Sequence, residues 1–457
     1  MKRRDFGKMS IGTAGAAAGL SGCGNADNAG TASTAGNGKL TAYDSGGTLA
    51  GVSPETIREQ YRYDLFDDFL PFMDSYVIDH EYGGFMCNTN RAGKNLSTGK
   101  GAWYEGRGIW VYSFLYNNVE QEPNVGLVPK YREVADKSAA FIMKHKPVGD
   151  SFWLGSYDRE GKATGGEGDI YGNLFIANGL AEYSQIPGNE RYWDTAKEIL
   201  LACMKRYDSP DYSYDVYYGP ADVTQLKGPR VLGHWMVLIR LVTQMLETRD
   251  DPELESLADR CVDAIMNNHL NPRYDLLNEA LGHDLSRPDS AFSQFVYTGH
   301  AIETLWMLLY EAARRKDRGL FDSVAGSFRR HVEVAWDDVY GGVFRCLDNV
   351  DDNVWKVDKV LWAQEEVLIG SLFIAEHTGA QWAKDMFAKM YSYVQDKYPL
   401  KKHGYPLWIL GADRKVTFVE EYSRVGNFHH PRHLMLNLLS LDRIIGRDGK
   451  VSDLFTL

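Results

Sequence analysis

The feature that most limits the possible folds is a series of helical patterns that runs from about residue 54 almost to the end of the chain. Apolar residues recur there at three- and four-residue spacings, and short breaks of Gly, Asp, Pro and Asn separate the patterns. We predict twelve helices, near 54–78, 101–118, 128–146, 169–186, 188–207, 230–247, 253–270, 289–315, 317–336, 355–377, 380–398 and 428–445.

Alternate helices differ in where their charges lie. Four segments are apolar around most of their circumference: 169–186, 230–247, 289–315 and 355–377. Four others carry many charges on one face: 128–146, 188–207, 253–270 and 317–336. A helix that is apolar all round is buried, whereas a half-charged helix faces water. The alternation predicts an all-α fold, an (α/α)6 barrel of about twelve helices in which the N-termini of six inner helices meet at one end.

Two similar stretches separate an outer-type helix from an inner-type helix. Residues 79–85 read Asp-His-Glu-Tyr-Gly-Gly-Phe, and residues 337–344 read Asp-Asp-Val-Tyr-Gly-Gly-Val-Phe. Paired glycines permit a turn with positive φ. We therefore predict a short β-hairpin loop at each stretch, and a third within 403–420.

The N-terminus has the pattern of an export signal. Arg3 and Arg4 precede a short apolar run, and Leu-Ser-Gly-Cys follows, ending at Cys23. The run is too short and too weakly apolar to span a membrane, so we predict a twin-arginine signal with a lipidation site at Cys23. The predicted organisation is a signal with lipobox over 1–23, a flexible linker over 24–52 and a barrel over 53–457. The protein would then be periplasmic or a membrane-anchored lipoprotein.

Charge and cysteine content narrow the partners. The formal net charge is −12 and the sequence has no basic stripe, which disfavours nucleic acid and anionic membrane surfaces. Membrane contact is expected only through a lipid on Cys23, and a homodimer is left open. The other cysteines form no Cys-x-x-Cys pair and are expected to be buried free thiols rather than zinc ligands: Cys87, Cys203, Cys261 and Cys346.

Several side chains that could carry chemistry lie near the starts of predicted inner helices and would converge at one mouth of a barrel. They are Arg107, His234, His300, Glu303, Trp362, Gln364 and His429. Spacing alone leaves their roles open. Glu303 shares a helix face with His300 and could hold its tautomer, but an ordinary hydrogen-bonded histidine has the same pattern. Arg107 could bind a ligand, or it could form a structural pair with Glu105 or another carboxylate.

A metal site is not expected from these residues. His429 and His433 are four residues apart and could chelate an ion, but no third ligand is obvious nearby.

Taken in order, several motifs resemble the N-acylglucosamine 2-epimerase family, which includes cellobiose 2-epimerases and aldose–ketose isomerases. The motifs span about residues 54–445: Glu-Tyr-Gly-Gly-Phe at 81–85, Trp-Tyr-Glu-Gly-Arg at 103–107, Tyr-Gly-Asn-Leu-Phe at 171–175, Gly-His-Ala-Ile-Glu at 299–303, Trp-Ala-Gln-Glu at 362–365 and Phe-His-His-Pro-Arg at 428–432. The resemblance implies the same (α/α)6 barrel.

The resemblance also implies roles for the candidate residues. His300 and His429 match the acid/base pair, Arg107 matches an arginine at the reacting end of the sugar, and Glu303 matches a carboxylate one turn after the first histidine. The residues expected to contact the sugar are His234, Trp362, Gln364, Tyr171 and Trp103. The implied reaction is 2-epimerisation or aldose–ketose isomerisation of a free sugar through an enediolate, with no metal or redox cofactor.

Other functions remain open at this stage. Many barrels of this kind are glycoside hydrolases or lyases, and the acids that could serve them are Asp169, Glu303, Glu365 and Glu366. The third hypothesis is a non-catalytic sugar-binding lipoprotein. Departures from the family pattern at 424–427 and at Arg240 leave the sugar open among N-acylhexosamines, hexoses and disaccharides.

Overall fold

The structure is a computed structural model that describes residues 40–89, 95–118, 128–149, 151–216, 218, 226, 228–398, 409–411 and 427–455. Its helices, in chain order, are α1 (Pro54–Tyr63, continued by a π-helical segment, Asp64–Phe69, and by Leu70–Tyr76), α2 (Ala102–Asn118), α3 (Val128–Lys144), α4 (Ile170–Tyr183), α5 (Tyr192–Tyr207), α6 (Leu232–Leu246), α7 (Pro252–Asp263, continued by a π-helical segment, Ala264–His269), α8 (Thr298–Arg315), α9 (Arg318–Ala335), α10 (Leu361–Thr378), α11 (Gln381–Lys397) and α12 (His429–Gly446).

The even-numbered helices form a closed inner ring. Each packs against the next, and α12 packs against α2 to close the ring. The odd-numbered helices lie outside, each against an inner helix, and α1 packs against α12. Every residue of α4 and of α6 is buried, as expected for helices covered on all sides. The predicted (α/α)6 barrel is confirmed.

Short antiparallel strand pairs surround the starts of several inner helices. The strands are β1 (Asn88–Thr89), β2 (Asn95–Ser97), β3 (Lys100–Gly101), β4 (Ser156–Tyr157), β5 (Arg230–Val231), β6 (Leu270–Asn271), β7 (Leu276–Leu277), β8 (Ala280–Leu281), β9 (Cys346–Asn349), β10 (Val354–Lys356), β11 (Asp358–Val360) and β12 (Ile409–Gly411). The pairs are β1–β2, β3–β4, β5–β8, β6–β7, β9–β10 and β11–β12. Because β3, β5 and β11 lead directly into α2, α6 and α10, the strands form a rim at the end where these inner helices begin.

Some predicted helix starts are wrong for a local reason. The predicted helix 355–377 begins only at Leu361, because the alternating Val-Trp-Lys-Val-Asp-Lys-Val before it forms β10 and β11. The predicted helix 289–315 begins at Thr298, after a separate 3-10 turn at Ala291–Gln294. Of the third predicted hairpin, only Ile409–Gly411 is described, and it pairs with Asp358–Val360.

The two Gly-Gly stretches form matching junctions in front of α2 and α10. Isolated antiparallel bridges join Ile78 to Phe85 and Trp336 to Val343, and all four glycines have positive φ, which confirms the predicted hairpins. At the first junction, the Lys100 ammonium lies 3.0 Å from Asp79 and donates to the Gly83 carbonyl at 2.6 Å. Lys359, Asp337 and Gly341 repeat the arrangement at 2.5 Å and 2.6 Å.

One side chain differs between the two junctions. Gln364 of α10 accepts from the Val343 amide at 2.7 Å and donates to two carbonyls, those of Val343 and Val360. Glu105 stands at the same place on α2 and accepts from the Phe85 amide at 3.0 Å. Burial raises the pKa of Glu105 to about 8. The carboxyl is therefore held in its protonated form, which is the closest match to an amide.

We expect Glu105→Gln to stabilise the protein at alkaline pH. The native pKa of Glu105 lies above its unfolded value, so native stability is fully present below about pH 4.5 and is lost as pH rises through about 8. The amide removes this loss. The variant should melt a few degrees above the parent at pH 9 and close to it at pH 5, measured by thermal unfolding across that range. Parallel melting curves for the two proteins at all pH values would contradict the assignment.

The N-terminal end of the described chain packs against the C-terminal end. Thr41 bridges Lys450, the Ala42 amide donates to the Gly449 carbonyl at 2.8 Å, and Lys384 donates to the Tyr43 carbonyl at 2.9 Å. Residues from Leu40 onward therefore form one compact unit with the barrel, and the prediction of a flexible linker up to residue 52 is wrong for 40–52. The predicted signal and Cys23 lie outside the described residues.

Two further observations concern the described residues. Each of the four cysteines outside the signal is a buried free thiol, as predicted. Within the described ranges, no helix combines the length and the apolar character needed to cross a bilayer.

Candidate active site

A cleft opens at the end of the barrel where the inner helices begin. It holds about 910 Å³ of empty space, a figure that includes open solvent at its mouth. Its walls are mostly aromatic, with a few convergent polar groups: Trp103, Tyr104, Arg107, Tyr171, Phe175, Tyr214, Tyr218, Met236, Tyr297, His300, Glu303, Arg345, Trp362 and His429. Seven of the nine predicted site residues are in this set; His234 and Gln364 are not.

His429 lies at the start of α12. One edge of its ring borders the cleft, and the other edge contacts a buried carboxylate. Its Nδ1 lies 2.8 Å from Oε1 of Glu366, which is fully buried on α10. With the proton on Nδ1 donated to Glu366, the Nε2 lone pair on the opposite edge is available to a ligand. Burial lowers the pKa of His429 well below its usual value, and the guanidinium groups of Arg432 and Arg107 lower it further. His429 is therefore a neutral imidazole at neutral pH.

His300, in the first turn of α8, is held in a similar way by a different carboxylate. Its Nδ1 lies 3.1 Å from Oε1 of Glu279, which also accepts from the Tyr218 hydroxyl at 2.8 Å. Tyr297 stacks on the imidazole with ring centroids 4.0 Å apart. The possibility that Glu303 holds the tautomer of His300 is not realised, because Glu279 occupies that place.

Glu303 belongs to the His429 side of the cleft. The buried Arg432 guanidinium bridges two carboxylates, with Nη2 2.6 Å from Glu303 and 2.5 Å from Glu366. The Nδ1 of His429 lies 3.9 Å from Glu303. Arg432 therefore offsets part of the charge of the two carboxylates and fixes the one that orients His429.

Arg107, on α2, presents its guanidinium among aromatic rings. Its central carbon lies 4.1 Å from the centroid of Phe175 and 5.0 Å from that of Phe428. Rings at these distances hold a cation by its face. The alternative that Arg107 pairs with Glu105 is wrong, since Glu105 holds the Gly-Gly junction.

Trp362 connects the two histidines. Its ring centroid lies 6.0 Å from that of His300 and 5.2 Å from that of His429. Trp103 forms another part of the wall and donates from Nε1 to Asp169 at 3.0 Å. Asp169 also caps α4 by accepting from the Gly172 amide, so the helix cap and the wall are fixed by the same carboxylate.

His234 does not line the cleft, which corrects the prediction that it binds the sugar. It is fully buried among tyrosine rings, the nearest being Tyr171 with centroids 4.5 Å apart. Burial and the nearby Arg230 lower its pKa to about 3. The residue before His234 must be small for a packing reason, because a Cβ on Gly233 would lie 1.7 Å from the Tyr171 hydroxyl. Gly233 thus makes room for Tyr171, which does line the cleft.

Gln364 does not line the cleft either, which corrects the prediction that it contacts the sugar. It is fully buried and hydrogen-bonded to the Gly-Gly junction described above, so it positions backbone and does not touch the cleft.

Comparison with known proteins is consistent with this geometry. The sequence profile of the N-acylglucosamine 2-epimerase (GlcNAc 2-epimerase) family matches residues 83–432. The chain belongs to the N-acylglucosamine 2-epimerase family. It is 24% identical to the N-acylglucosamine 2-epimerase of Bos taurus over 406 residues, which cover 85% of this chain and 92% of that protein.

Solved structures support the fold of this family member. The cellobiose 2-epimerase from Bacillus thermoamylovorans superposes with a TM-score of 0.73 at 16% identity, over 84% of this chain and 99% of that one. A D-mannose isomerase superposes with a TM-score of 0.67 at 14% identity, over 85% of this chain and 97% of that one.

Three residues complete this family member's site in roles that the sequence did not predict. Glu279 lies in the connection between β7 and β8, Glu366 on α10 and Arg432 on α12. Glu279 is a lone acid in Leu-Leu-Asn-Glu-Ala-Leu, and a charge inside an apolar run needs a buried partner. That rule identifies Glu279 as a candidate but does not tell which histidine it meets.

The described structure separates the two histidines that were considered as a possible chelating pair. Among the described residues, Glu303, Glu366 and His429 are close enough to share an ion, but Arg432 already supplies a cation there. His433 does not pair with His429; it lies with His430 and Glu365.

Proposed function

We propose that this protein is a sugar 2-epimerase or aldose–ketose isomerase that moves a proton at C2 of a free reducing sugar. One observation carries the proposal: two imidazoles border the same cleft, each with Nδ1 held by a buried carboxylate, and the Arg107 guanidinium borders that cleft too. A binding site has no need of two such oriented histidines, which disfavours a non-catalytic sugar-binding protein.

The reaction requires a base, an acid and a stabilised oxyanion. The C2 proton of an open-chain sugar is acidic only because a carbonyl lies next to it, and its removal places negative charge on the carbonyl oxygen. His429 is the base, because it is neutral and its Nε2 edge meets the cleft. Arg107 stabilises the enediolate oxygen as a fixed cation. His300 returns the proton.

The position to which the proton returns decides the product. If His300 protonates C2 from the opposite face, the sugar is epimerised. If the proton returns to C1, an aldose becomes a ketose. Both outcomes use the same cleft and the same three side chains.

The acids that a glycosidase would use are engaged elsewhere. Asp169 caps α4 and holds Trp103, whereas Glu303 and Glu366 share Arg432. Glu365 makes a short hydrogen bond to His430. A hydrolase needs one carboxylic acid and one carboxylate facing the same bond, so the arrangement disfavours hydrolysis.

Proton exchange with solvent tests the proposal directly. The purified chain is incubated in D2O with N-acetylglucosamine, glucose, mannose and cellobiose, and the products are followed by proton NMR. We expect at least one sugar to lose its C2 proton signal as a new epimer or a ketose appears. Release of reducing ends from polysaccharide without deuterium incorporation would favour a hydrolase, and binding without exchange would favour a sugar-binding protein.

We also propose that the protein is exported by the twin-arginine route and lipidated at Cys23. The support is the order of the arginine pair, apolar run and Leu-Ser-Gly-Cys in the sequence. Cys23→Ser should move the protein from the membrane fraction to the soluble periplasmic fraction. Equal fractionation of parent and variant would contradict lipidation.

A further inference from the structure

A second cluster of ligand-type side chains lies beside the catalytic residues on the same two helices. Glu365 precedes Glu366 on α10, and His430 follows His429 on α12. His433 lies three residues after His430 and shares its helix face. One ligand atom of each of the three residues lies within 4.8 Å of the others. We call Glu365, His430 and His433 the Glu365 cluster.

Two polar atoms of the Glu365 cluster are buried without a partner. Within the described part of the chain, neither Oε2 of Glu365 nor Nδ1 of His433 makes a hydrogen bond, and their side chains are only 1% and 2% exposed. A buried polar group left unsatisfied costs about 1–3 kcal/mol. Such an atom calls for a partner that the surrounding side chains do not supply, an ordered water or an ion.

The spacing within the Glu365 cluster fits two ligands of one ion. Nδ1 of His433 lies 3.6 Å from Oε1 of Glu365, which is too long for a hydrogen bond. Two ligands of a tetrahedral ion with bonds of about 2.1 Å lie about 3.4 Å apart. His430 makes a short hydrogen bond to the same carboxylate oxygen. Its side chain is 14% exposed, so it has an open side toward which it can shift.

The outer edge of His433 has the partner that a ligating histidine needs. Its Nε2 lies 3.3 Å from the Tyr61 hydroxyl. Histidines that bind metals donate their second ring N–H to such a group, which fixes the tautomer and turns the other nitrogen toward the ion. With Nε2 donating to Tyr61, the lone pair of Nδ1 faces Glu365.

In the neighbouring group of Glu303, Glu366 and His429, an arginine side chain supplies the cation. Glu303 and Glu366 share the Arg432 guanidinium. Among the described ion pairs, Glu365 contacts only His430 and His433. The Glu365 cluster has the ligands of a cation site without an arginine or lysine in it.

We propose that Glu365, His430 and His433 bind one Zn²⁺ ion, with water as the fourth ligand. Two imidazoles and one carboxylate suit zinc, whereas Ca²⁺ and Mg²⁺ prefer oxygen ligands alone. The ion joins α10 to α12 one residue away from Glu366 and His429, so its role is to hold those two residues in register. This inference does not depend on which sugar the protein uses.

Cobalt provides a spectroscopic probe of the site. The full chain, purified without a polyhistidine tag and stripped with chelator, is titrated with Co²⁺ and then with Zn²⁺. We expect one Co²⁺ per chain with the visible absorption of a tetrahedral ion, its displacement by Zn²⁺, and a higher melting temperature with Zn²⁺. A wild-type chain that binds no stoichiometric Co²⁺ overturns the proposal.

Variants then locate the ion. His433→Gln and, separately, Glu365→Gln should lose the tetrahedral absorption and the Zn²⁺-dependent rise in melting temperature. The matched control is His80→Gln, which changes an exposed histidine that contacts Asp74 and should keep both. Far-UV circular dichroism confirms which variants fold. Binding retained in a folded His433→Gln or Glu365→Gln variant overturns the proposal, as does loss of binding in the His80→Gln control.

Discussion

Replacing His429 with asparagine is expected to lower kcat by about 10²–10⁴-fold, the usual contribution of a positioned acid or base. The asparagine amide can still donate to Glu366, so the carboxylate is not left without a partner. The melting temperature should therefore stay close to that of the parent. The measurement is turnover of whichever sugar exchanges deuterium, together with thermal unfolding of the same preparation.

His300→Asn should lower turnover by a similar factor but leave a different residual activity. His429 remains able to remove the C2 proton, so solvent deuterium should still enter the substrate at C2 while no epimer accumulates. His429→Asn should show neither exchange nor product from the same epimer. His80→Asn changes an exposed histidine that follows α1 and contacts Asp74. This control variant should keep full turnover. Near-normal turnover in either active-site variant would remove that residue from the mechanism.

Arg432→Met is expected to lower the free energy of unfolding by about 3–5 kcal/mol, because it leaves Glu303 and Glu366 buried without their cation. Turnover should also be lost, since Glu366 would no longer hold His429 in place. Denaturant unfolding monitored by tryptophan fluorescence measures the first effect. Burial already raises the pKa of Glu366, so the variant should bind an extra proton in its native state and be least stable at alkaline pH.

A surface arginine and a second substitution serve as controls for Arg432. Arg318→Met removes an exposed pair with Asp322 and should change stability by no more than about 0.5 kcal/mol. Adding Glu303→Gln to Arg432→Met removes one of the unpaired charges and should restore part of the lost stability. If Arg432→Met were as mild as Arg318→Met, the charge-balance account of this cluster would be wrong.

The barrel could be predicted because burial on all sides leaves a clear mark in a helix sequence. Helices α4 and α6 have no polar face, and their outer partners do. The histidines could be placed because helix starts in such a barrel share one end. Exact helix starts could not, since a strand of alternating residues such as Val354–Lys356 merges into the helix that follows.

The direction in which a side chain points at a helix start could not be predicted from the sequence. His234 and Gln364 occupy the expected turns but point into the wall and the junction, and a shift of one position on a helix turns a side chain by about 100°. Glu279 could not be matched to His300 because it lies in the connection between β7 and β8, outside the inner helices, and the pairing depends on tertiary packing. Glu303 lines the cleft, as its place near the start of an inner helix predicts, but its partner is Arg432 rather than His300.

The closure of the ring through α12 has a consequence for synthesis. This last helix carries His429 and Arg432, and it packs against α1 and α2 from the opposite end of the chain. A ribosome-bound chain that has not yet released residues 429–446 holds five inner helices, an incomplete cleft and no base. The catalytic base and the contacts that close the ring are therefore acquired together, when α12 packs against α1 and α2.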